Sequence, residues 1–153
     1  LVSLHAQRAN VASEVEKIVA THPLYLVLRS MPGIGLRTAA VIIAELAGKT
    51  FTSSAALASY AGLAPTTRQS GSSIKSERVS HSGNKRLKRA LFLSAFAVIR
   101  TDPVSRAYYD RKRAQGKRHN QAIIALAHRR LTVLYAMLRD GTLYDVPDTA
   151  LAA

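Results

Sequence analysis

The stretch MPGIGLRTAAVIIAEL, residues 31–46, sets the pattern from which the rest of the fold follows. Gly33 and Gly35 mark a tight turn, and the apolar run behind them has the length and composition of a helix. Residues 24–29, which are mostly apolar and precede the turn, predict a shorter helix. The stretch therefore predicts two helices joined by a glycine turn.

A helix, Pro-Gly-Ile-Gly, and a second helix in this order are typical of a helix-hairpin-helix element. Glycines let the backbone approach a ligand closely, and the unpaired N–H groups at the start of the second helix point at a phosphate oxygen with the helix dipole behind them. The candidate residues of this phosphate-binding hairpin are Gly33, Ile34, Gly35, Arg37 and Thr38. The alternative is an ordinary turn between helices in which the glycines serve only the geometry of the chain.

The remaining apolar periodicity predicts further helices and no run of alternating strand, so the fold class is all-α, a compact multi-helix domain. Ser53 or Ser54 is expected to cap a helix that ends at Tyr60. Further helices are predicted over residues 84–100, 102–115 and 120–140. Residues 65–76 are rich in Thr, Ser, Gly and Gln and predict a long loop or loose hairpin.

The N-terminal residues 4–20 predict an amphipathic helix with a narrow apolar stripe formed by Leu4, Val11, Val15 and Ile18. This spacing is typical of the end of a coiled coil and equally of packing on the domain body. Since the chain begins at Leu1 rather than Met, we expect it to be a piece of a longer protein. The predicted division is residues 1–22 as the end of a coiled-coil or linker helix, 23–144 as the main domain and 145–153 as a flexible tail.

The chain carries a net charge of +13, which favours a polyanionic partner, nucleic acid first and an anionic membrane surface second. Residues 68–118 hold 14 lysines and arginines against three carboxylates, so most of the excess charge lies in one third of the chain. The absence of cysteine excludes disulfides, thiolate metal sites and a cysteine nucleophile. The lack of cysteine also makes a cytoplasmic protein the simplest prediction, and with no apolar run long enough to cross a bilayer we expect a soluble protein.

The stretch RVSHSGNKRLKRAL, residues 78–91, holds two serines and a histidine among five cations and no carboxylate. A serine hydroxyl attacks a phosphodiester when its proton is removed and the phosphate charge is offset. The cations that would offset this charge are Arg78, Lys85, Arg86, Lys88 and Arg89. The alternative is that Ser80 or Ser82 only caps the helix that starts near Asn84, and Ser82 is the better placed of the two.

Other chemistry-bearing residues form no evident site. The nine carboxylates are scattered, no pair of them is spaced to hold Mg²⁺, and the five histidines lack metal-ligand spacing. Tyr108 and Tyr109, beside the basic stretch 110–119, are a candidate base-stacking platform or, less simply, a tyrosine nucleophile. The chain by itself therefore cannot supply a familiar metal-dependent phosphoryl-transfer site.

Three segments in order resemble the insertion-sequence 110 transposase family, also called 110/116/902, which includes pilin-inversion recombinases. They are LRSMPGIGLRTAAVIIAEL, FTSSAALASYAGLAPTTRQSG and RVSHSGNKRLKRALFLSAF. The family pattern has a helix-hairpin-helix-like entry, an Ala-Gly-Leu-x-Pro block, and an Ile/Val-Ser-x-x-Gly-Asn/Asp-x-x-Leu-Arg block. The resemblance runs over residues 24–136. The chain departs from it at His81 and Ser82, where a basic pair is common, and at Lys88, where Arg is usual.

The resemblance implies a nucleophile at Ser80, which would form a covalent phosphoserine with DNA. It also implies a preceding RuvC-like domain with four acidic residues that binds Mg²⁺, joined through a coiled coil, so no cofactor is expected in this chain itself. DNA is the expected partner, an element-encoded guide RNA accompanies some members, and the full-length protein is expected to be a homo-oligomer. The alternatives are a non-catalytic helix-hairpin-helix nucleic-acid binding module and a ribosome-associated or other RNA-binding protein. As an isolated fragment, we expect the chain to bind nucleic acid with strong salt dependence and not to cut it.

Overall fold

The computed structural model describes residues 2–67, 77–79 and 83–146, and for residues 66–67 and 77–79 it describes the backbone only. The described residues form seven helices and one short two-stranded ribbon, which confirms the all-α class. In chain order these elements are α1 (Val2–Ala20), α2 (Tyr25–Ser30), α3 (Leu36–Leu46), α4 (Ser54–Tyr60), β1 (Pro65–Thr67), β2 (Glu77–Val79), α5 (Lys85–Val98), α6 (Pro103–Ala114) and α7 (His119–Asp140).

Side-chain caps and glycines define the helix ends, mostly as the sequence predicts. Ser53 accepts a hydrogen bond from the Ala56 N–H and starts α4, and Asp102 accepts one from Ser105 and starts α6 with a proline in its first turn. Gly141 ends α7 in the left-handed conformation at φ +65°.

The cap of α5 differs from the sequence prediction. Asn84 is the N-cap, and its side-chain oxygen accepts a hydrogen bond from the Leu87 N–H at 3.0 Å. The interpretation of Ser80 or Ser82 as the cap is therefore wrong. Asn and Ser cap helices about equally well, and the turn before α5 brings the asparagine into the capping position.

The core lies where α3, α4 and α6 pack against the long helices α5 and α7. Each of these helices contributes apolar side chains from one face, as its helical spacing requires. The largest fully buried side chains are Leu28, Ile42, Leu57, Leu87, Val98, Ile123, Leu126, Leu131 and Leu134. None of the helices within the described residues is both long and apolar enough to cross a membrane.

Helix α1 contacts α2 and α3, yet it buries a single residue, Val19. The apolar stripe is exposed instead, with Leu4 60%, Val11 63% and Ile18 71% accessible. The stripe is thus not packed on the domain body. The division at residue 22 and the coiled-coil role of α1 remain predictions.

The polar stretch 65–76 begins in strand β1 and is followed directly by strand β2. β1 and β2 pair antiparallel, with Pro65 opposite Val79 and Thr67 opposite Glu77. The loose hairpin foreseen for residues 65–76 agrees with this pairing, although residues 68–76 lie outside the described part of the chain.

Candidate nucleic-acid interface

The glycine turn between α2 and α3 packs on α5. Gly33 has φ +82°, and a Cβ there would lie 2.4 Å from Val98 Cγ1 and 2.7 Å from the Ser94 carbonyl oxygen. Ile34 is buried in the core. Gly33 is therefore needed for its backbone conformation and for its close packing on α5, which is the geometric role foreseen in the simpler alternative.

The first turn of α3 keeps the features that anion binding requires. Gly35 is the N-cap in an extended conformation and makes no side-chain capping bond. The first intrahelical bond runs from the Ala39 N–H to the Gly35 carbonyl, so the preceding N–H groups have no intrahelical acceptor. Arg37 is exposed and Thr38 half-buried beside these groups. The helix-hairpin-helix assignment and its phosphate contact remain predictions.

Arg130 of α7 holds this turn in place, and no sequence pattern pointed to it. It is only 7% exposed, and its guanidinium donates to the Pro32 carbonyl and, at 3.1 Å, to Ser94 Oγ. Burial lowers the pKa of Arg130. Arg29 braces the same turn from outside through a 3.2 Å bond from Nη1 to the Ile34 carbonyl. A buried arginine interrupts the apolar pattern of a helix but gives no indication of the residues that it contacts. Hydrophobic periodicity alone therefore cannot identify the role of Arg130.

The chain on either side of Ser80 is anchored, while Ser80, His81 and Ser82 lie outside the described residues. On one side, Val79 pairs with Pro65 in the ribbon. On the other, Gly83 has φ +100°, and a Cβ there would lie 2.6 Å from the backbone nitrogen of Gly62. Two backbones thus meet without side chains between them.

Asn84 fixes the second anchor through a hydrogen-bond network. Its N–H donates to the Tyr60 carbonyl at 2.7 Å, and its Nδ2 donates to Glu45 Oε2 at 2.6 Å and to the Tyr60 hydroxyl at 3.0 Å. Glu45 also pairs with Arg86 at 3.3 Å. The start of α5 is therefore tied to the ends of α3 and α4.

The sequence profile described as Transposase IS116/IS110/IS902 family matches residues 25–110, more than half of the chain. The match spans the glycine turn, the Gly62–Gly83 contact and the anchors on both sides of Ser80. The chain belongs to this transposase family.

Curated relatives of this chain have names that agree with the family. The "Insertion element IS110 uncharacterized 43.6 kDa protein" of Streptomyces coelicolor is 53% identical over 95% of the chain, which covers 36% of that relative. The "Insertion element IS900 uncharacterized 42 kDa protein" of Mycobacterium paratuberculosis is 43% identical over 100% of the chain, covering 39% of its length. The "Pilin gene-inverting protein" of Moraxella bovis is 39% identical over 77% of the chain, covering 38%. The chain thus spans somewhat over a third of the length of these relatives.

Four of the five predicted cations lie at the start of α5, as the sequence indicated. Lys85, Arg86 and Arg89 are exposed and Lys88 is half-buried, where desolvation lowers its pKa. Glu45 already pairs with Arg86, so that cation is partly neutralised. The backbone of Arg78 lies in β2, and its side chain is not among those that the structure describes.

The two predicted phosphate-binding regions lie at opposite ends of α5. α3 runs antiparallel to α5: Gly33 packs near Ser94 and Val98, whereas Glu45 contacts Asn84 and Arg86. About 11 residues of α5 separate these levels, which corresponds to roughly 16 Å at 1.5 Å per residue. A duplex covers that distance in about five base pairs. The residues predicted to contact phosphate therefore lie in two separated regions rather than in one cluster.

The tyrosines of α6 do not offer open rings for base stacking. Arg129, Arg111 and Lys112 lie over the Tyr108 ring, at 4.8, 5.2 and 5.3 Å from its centroid. The Tyr109 hydroxyl lies 2.7 Å from His119 Nδ1, and the Arg106 guanidinium lies 5.9 Å from the centroid of the Tyr109 ring. Both rings thus already have intramolecular partners, which disfavours them as a free stacking platform.

Within the described residues, no group of three or more His, Cys, Asp or Glu side chains could hold a metal ion. Glu45 contacts the start of α5, where its carboxylate accepts a hydrogen bond from Asn84 and forms a salt bridge with Arg86. The donor set of this part of the chain does not fit a Mg²⁺ site. The expectation that Mg²⁺ binds in a preceding RuvC-like domain remains a prediction.

Proposed function

We propose that this chain is the DNA-binding, nucleophile-bearing domain of a transposase that moves an insertion sequence, and that Ser80 is its nucleophile. The observation that carries the proposal is the anchoring on both sides of Ser80, by the ribbon at Val79 and by the Gly83–Asn84 contacts. Because Asn84 caps α5, the capping explanation for the serines no longer applies.

In the proposed reaction, the Ser80 hydroxyl oxygen forms a bond to a DNA phosphorus, and the bond from that phosphorus to the leaving deoxyribose oxygen breaks. The product is a covalent phosphoserine. The serine proton passes to a general base, and the leaving oxygen gains a proton. Lys85, Lys88 and Arg89 offset the negative charge that grows on the phosphate. The proposal assigns the base and the Mg²⁺ to the preceding RuvC-like domain, so the present chain binds DNA without cutting it.

DNA binding in the proposal uses both ends of α5. The N–H groups at the start of α3, with Arg37 beside them, contact backbone phosphates without reading sequence. The cations at the start of α5 contact phosphates around the reacting one. The spacing of the two regions supports a single duplex lying along this surface. A guide RNA and a homo-oligomeric full-length protein remain further predictions.

The decisive experiment compares Ser80→Ala with Ser82→Ala in the full-length protein. We expect Ser80→Ala to abolish strand transfer and the covalent protein–DNA adduct seen after denaturing electrophoresis, while DNA affinity stays within about twofold, because a neutral hydroxyl contributes little to phosphate binding. The matched control Ser82→Ala lies two residues away and should keep both activities. Adduct formation or undiminished strand transfer by Ser80→Ala would contradict the assignment and favour a non-catalytic binding module.

A further inference from the structure

A groove lies between α6, the first half of α7 and the segment that leads into β1. Its apolar lining, here called the floor, comprises Leu63, Ala64, Pro65, Ile124 and Ala125. Its polar lining, here called the rim, comprises Tyr108, Lys112, Lys117, Gln121 and His128. No carboxylate lines the groove in the portion of the chain that the structure describes.

The two lysines are held side by side. The Lys117 N–H donates to the Lys112 carbonyl at 3.2 Å, and Arg113 Nη1 donates to the Lys117 carbonyl at 2.9 Å. These contacts around Gly116, at φ +84°, bring the two residues together at the end of α6, and both residues line the groove. The Lys112 ammonium also donates to Gln115 Oε1 at 3.3 Å and lies over the Tyr108 ring. An anion between them would meet two positive charges.

The combination of an apolar floor and a cationic rim favours a nucleotide over a bare backbone phosphate. A backbone phosphate of a paired duplex would gain nothing from contact with an apolar surface, whereas an unpaired base could bury its flat face on it. Tyr108 lines the groove as well, but Arg129, Arg111 and Lys112 already lie over its ring. The base is therefore expected on the aliphatic part of the lining.

One residue pair of the ribbon links the groove to the strand that precedes the proposed nucleophile. Pro65 lines the groove and pairs in register with Val79, the residue that precedes Ser80 in the sequence. A nucleotide in the groove would therefore lie beside the strand that leads to the reacting phosphate.

We propose that this groove binds an unpaired nucleotide of the DNA next to the phosphate that Ser80 attacks. The base lies on Ile124 and Ala125, and its phosphate lies between Lys112 and Lys117. The inference rests on the proposed function and adds a substrate feature to it: local unpairing of the DNA beside the reaction site.

The test measures the affinity of the 153-residue chain for two fluorescent duplexes of the same sequence, one fully paired and one with a single bulged nucleotide. We expect the bulged duplex to bind about tenfold more tightly, near the low end of the range for a base stacked on an aromatic ring, because this floor is aliphatic. The variants are Lys112→Gln with Lys117→Gln, and separately Ala125→Glu, which places a carboxylate on the floor. Both should remove the preference for the bulge.

The matched control is Arg8→Gln with Arg139→Gln, which removes the same two charges from exposed sites on α1 and α7. It should keep the preference. Equal binding of the two duplexes by the parent chain, or a preference that survives in both groove variants, would overturn the groove inference while leaving the proposed function intact. Failure of the chain to bind either duplex would overturn both.

Discussion

Replacing Gly83 by alanine tests the contact that anchors the chain after Ser80. The new Cβ would lie 2.6 Å from the Gly62 nitrogen, 2.7 Å from its Cα and 2.9 Å from the Tyr60 carbonyl oxygen. All three are backbone atoms, so no side chain can rotate away. The strain of a left-handed L-residue costs about 1–2 kcal/mol, and forcing the backbones apart adds about 1–3 kcal/mol.

Gly116→Ala is the matched control for this prediction. Gly116 has a similar φ of +84°, but nothing lies within 4 Å of a Cβ placed there, so only the conformational strain applies. Urea unfolding followed by far-ultraviolet circular dichroism should therefore show that Gly83→Ala loses about 1–3 kcal/mol more stability than Gly116→Ala. Equal losses in the two variants would refute the reasoning that the Gly62 contact is rigid.

Two further predictions concern Arg130 and Tyr144. Arg130→Met should lower the free energy of unfolding by about 2–4 kcal/mol, because the Pro32 carbonyl and Ser94 hydroxyl lose their donor, whereas Arg129→Met, which loses a cation–π contact, should cost about 0.5–1 kcal/mol. Comparable losses in urea unfolding would contradict the role of Arg130. Burial raises the pKa of the Tyr144 phenol above its ordinary value of 10, so its contribution to stability is present below pH 10 and is lost as the pH rises through the folded pKa. Stability measured from pH 8 to 11 should therefore fall less in Tyr144→Phe than in the parent chain, and identical profiles would argue against this shift.

The sequence predicted the helices well because their signals are local. Ser53, Asp102 and Gly141 act at the helix ends where their types are favoured, and the apolar spacing of α5 and α7 corresponds to the faces that they bury. The glycine turn before α3 was also placed correctly. Each of these features depends on residues within about one turn of each other, so a single sequence carries the information.

What the sequence could not predict depends on distant partners. Arg130 meets Pro32 across 98 residues, and Asn84 meets Glu45 across 39, so neither pairing leaves a periodic trace. The cap assignment failed for the same reason, since Asn84 is placed by its contacts with α3 and α4. The chemistry at Ser80 lies outside the described residues and stays a prediction drawn from the family pattern.

The Arg130 clamp has a consequence for attempts to transplant the glycine turn. A peptide comprising α2, the turn and α3 would keep the Pro-Gly-Ile-Gly letters but lose the guanidinium from α7 and the α5 surface on which Gly33 rests. The conformation of the glycine turn thus depends on α5 and α7 as well as on its own residues. A graft of the turn into another protein would have to include both helices.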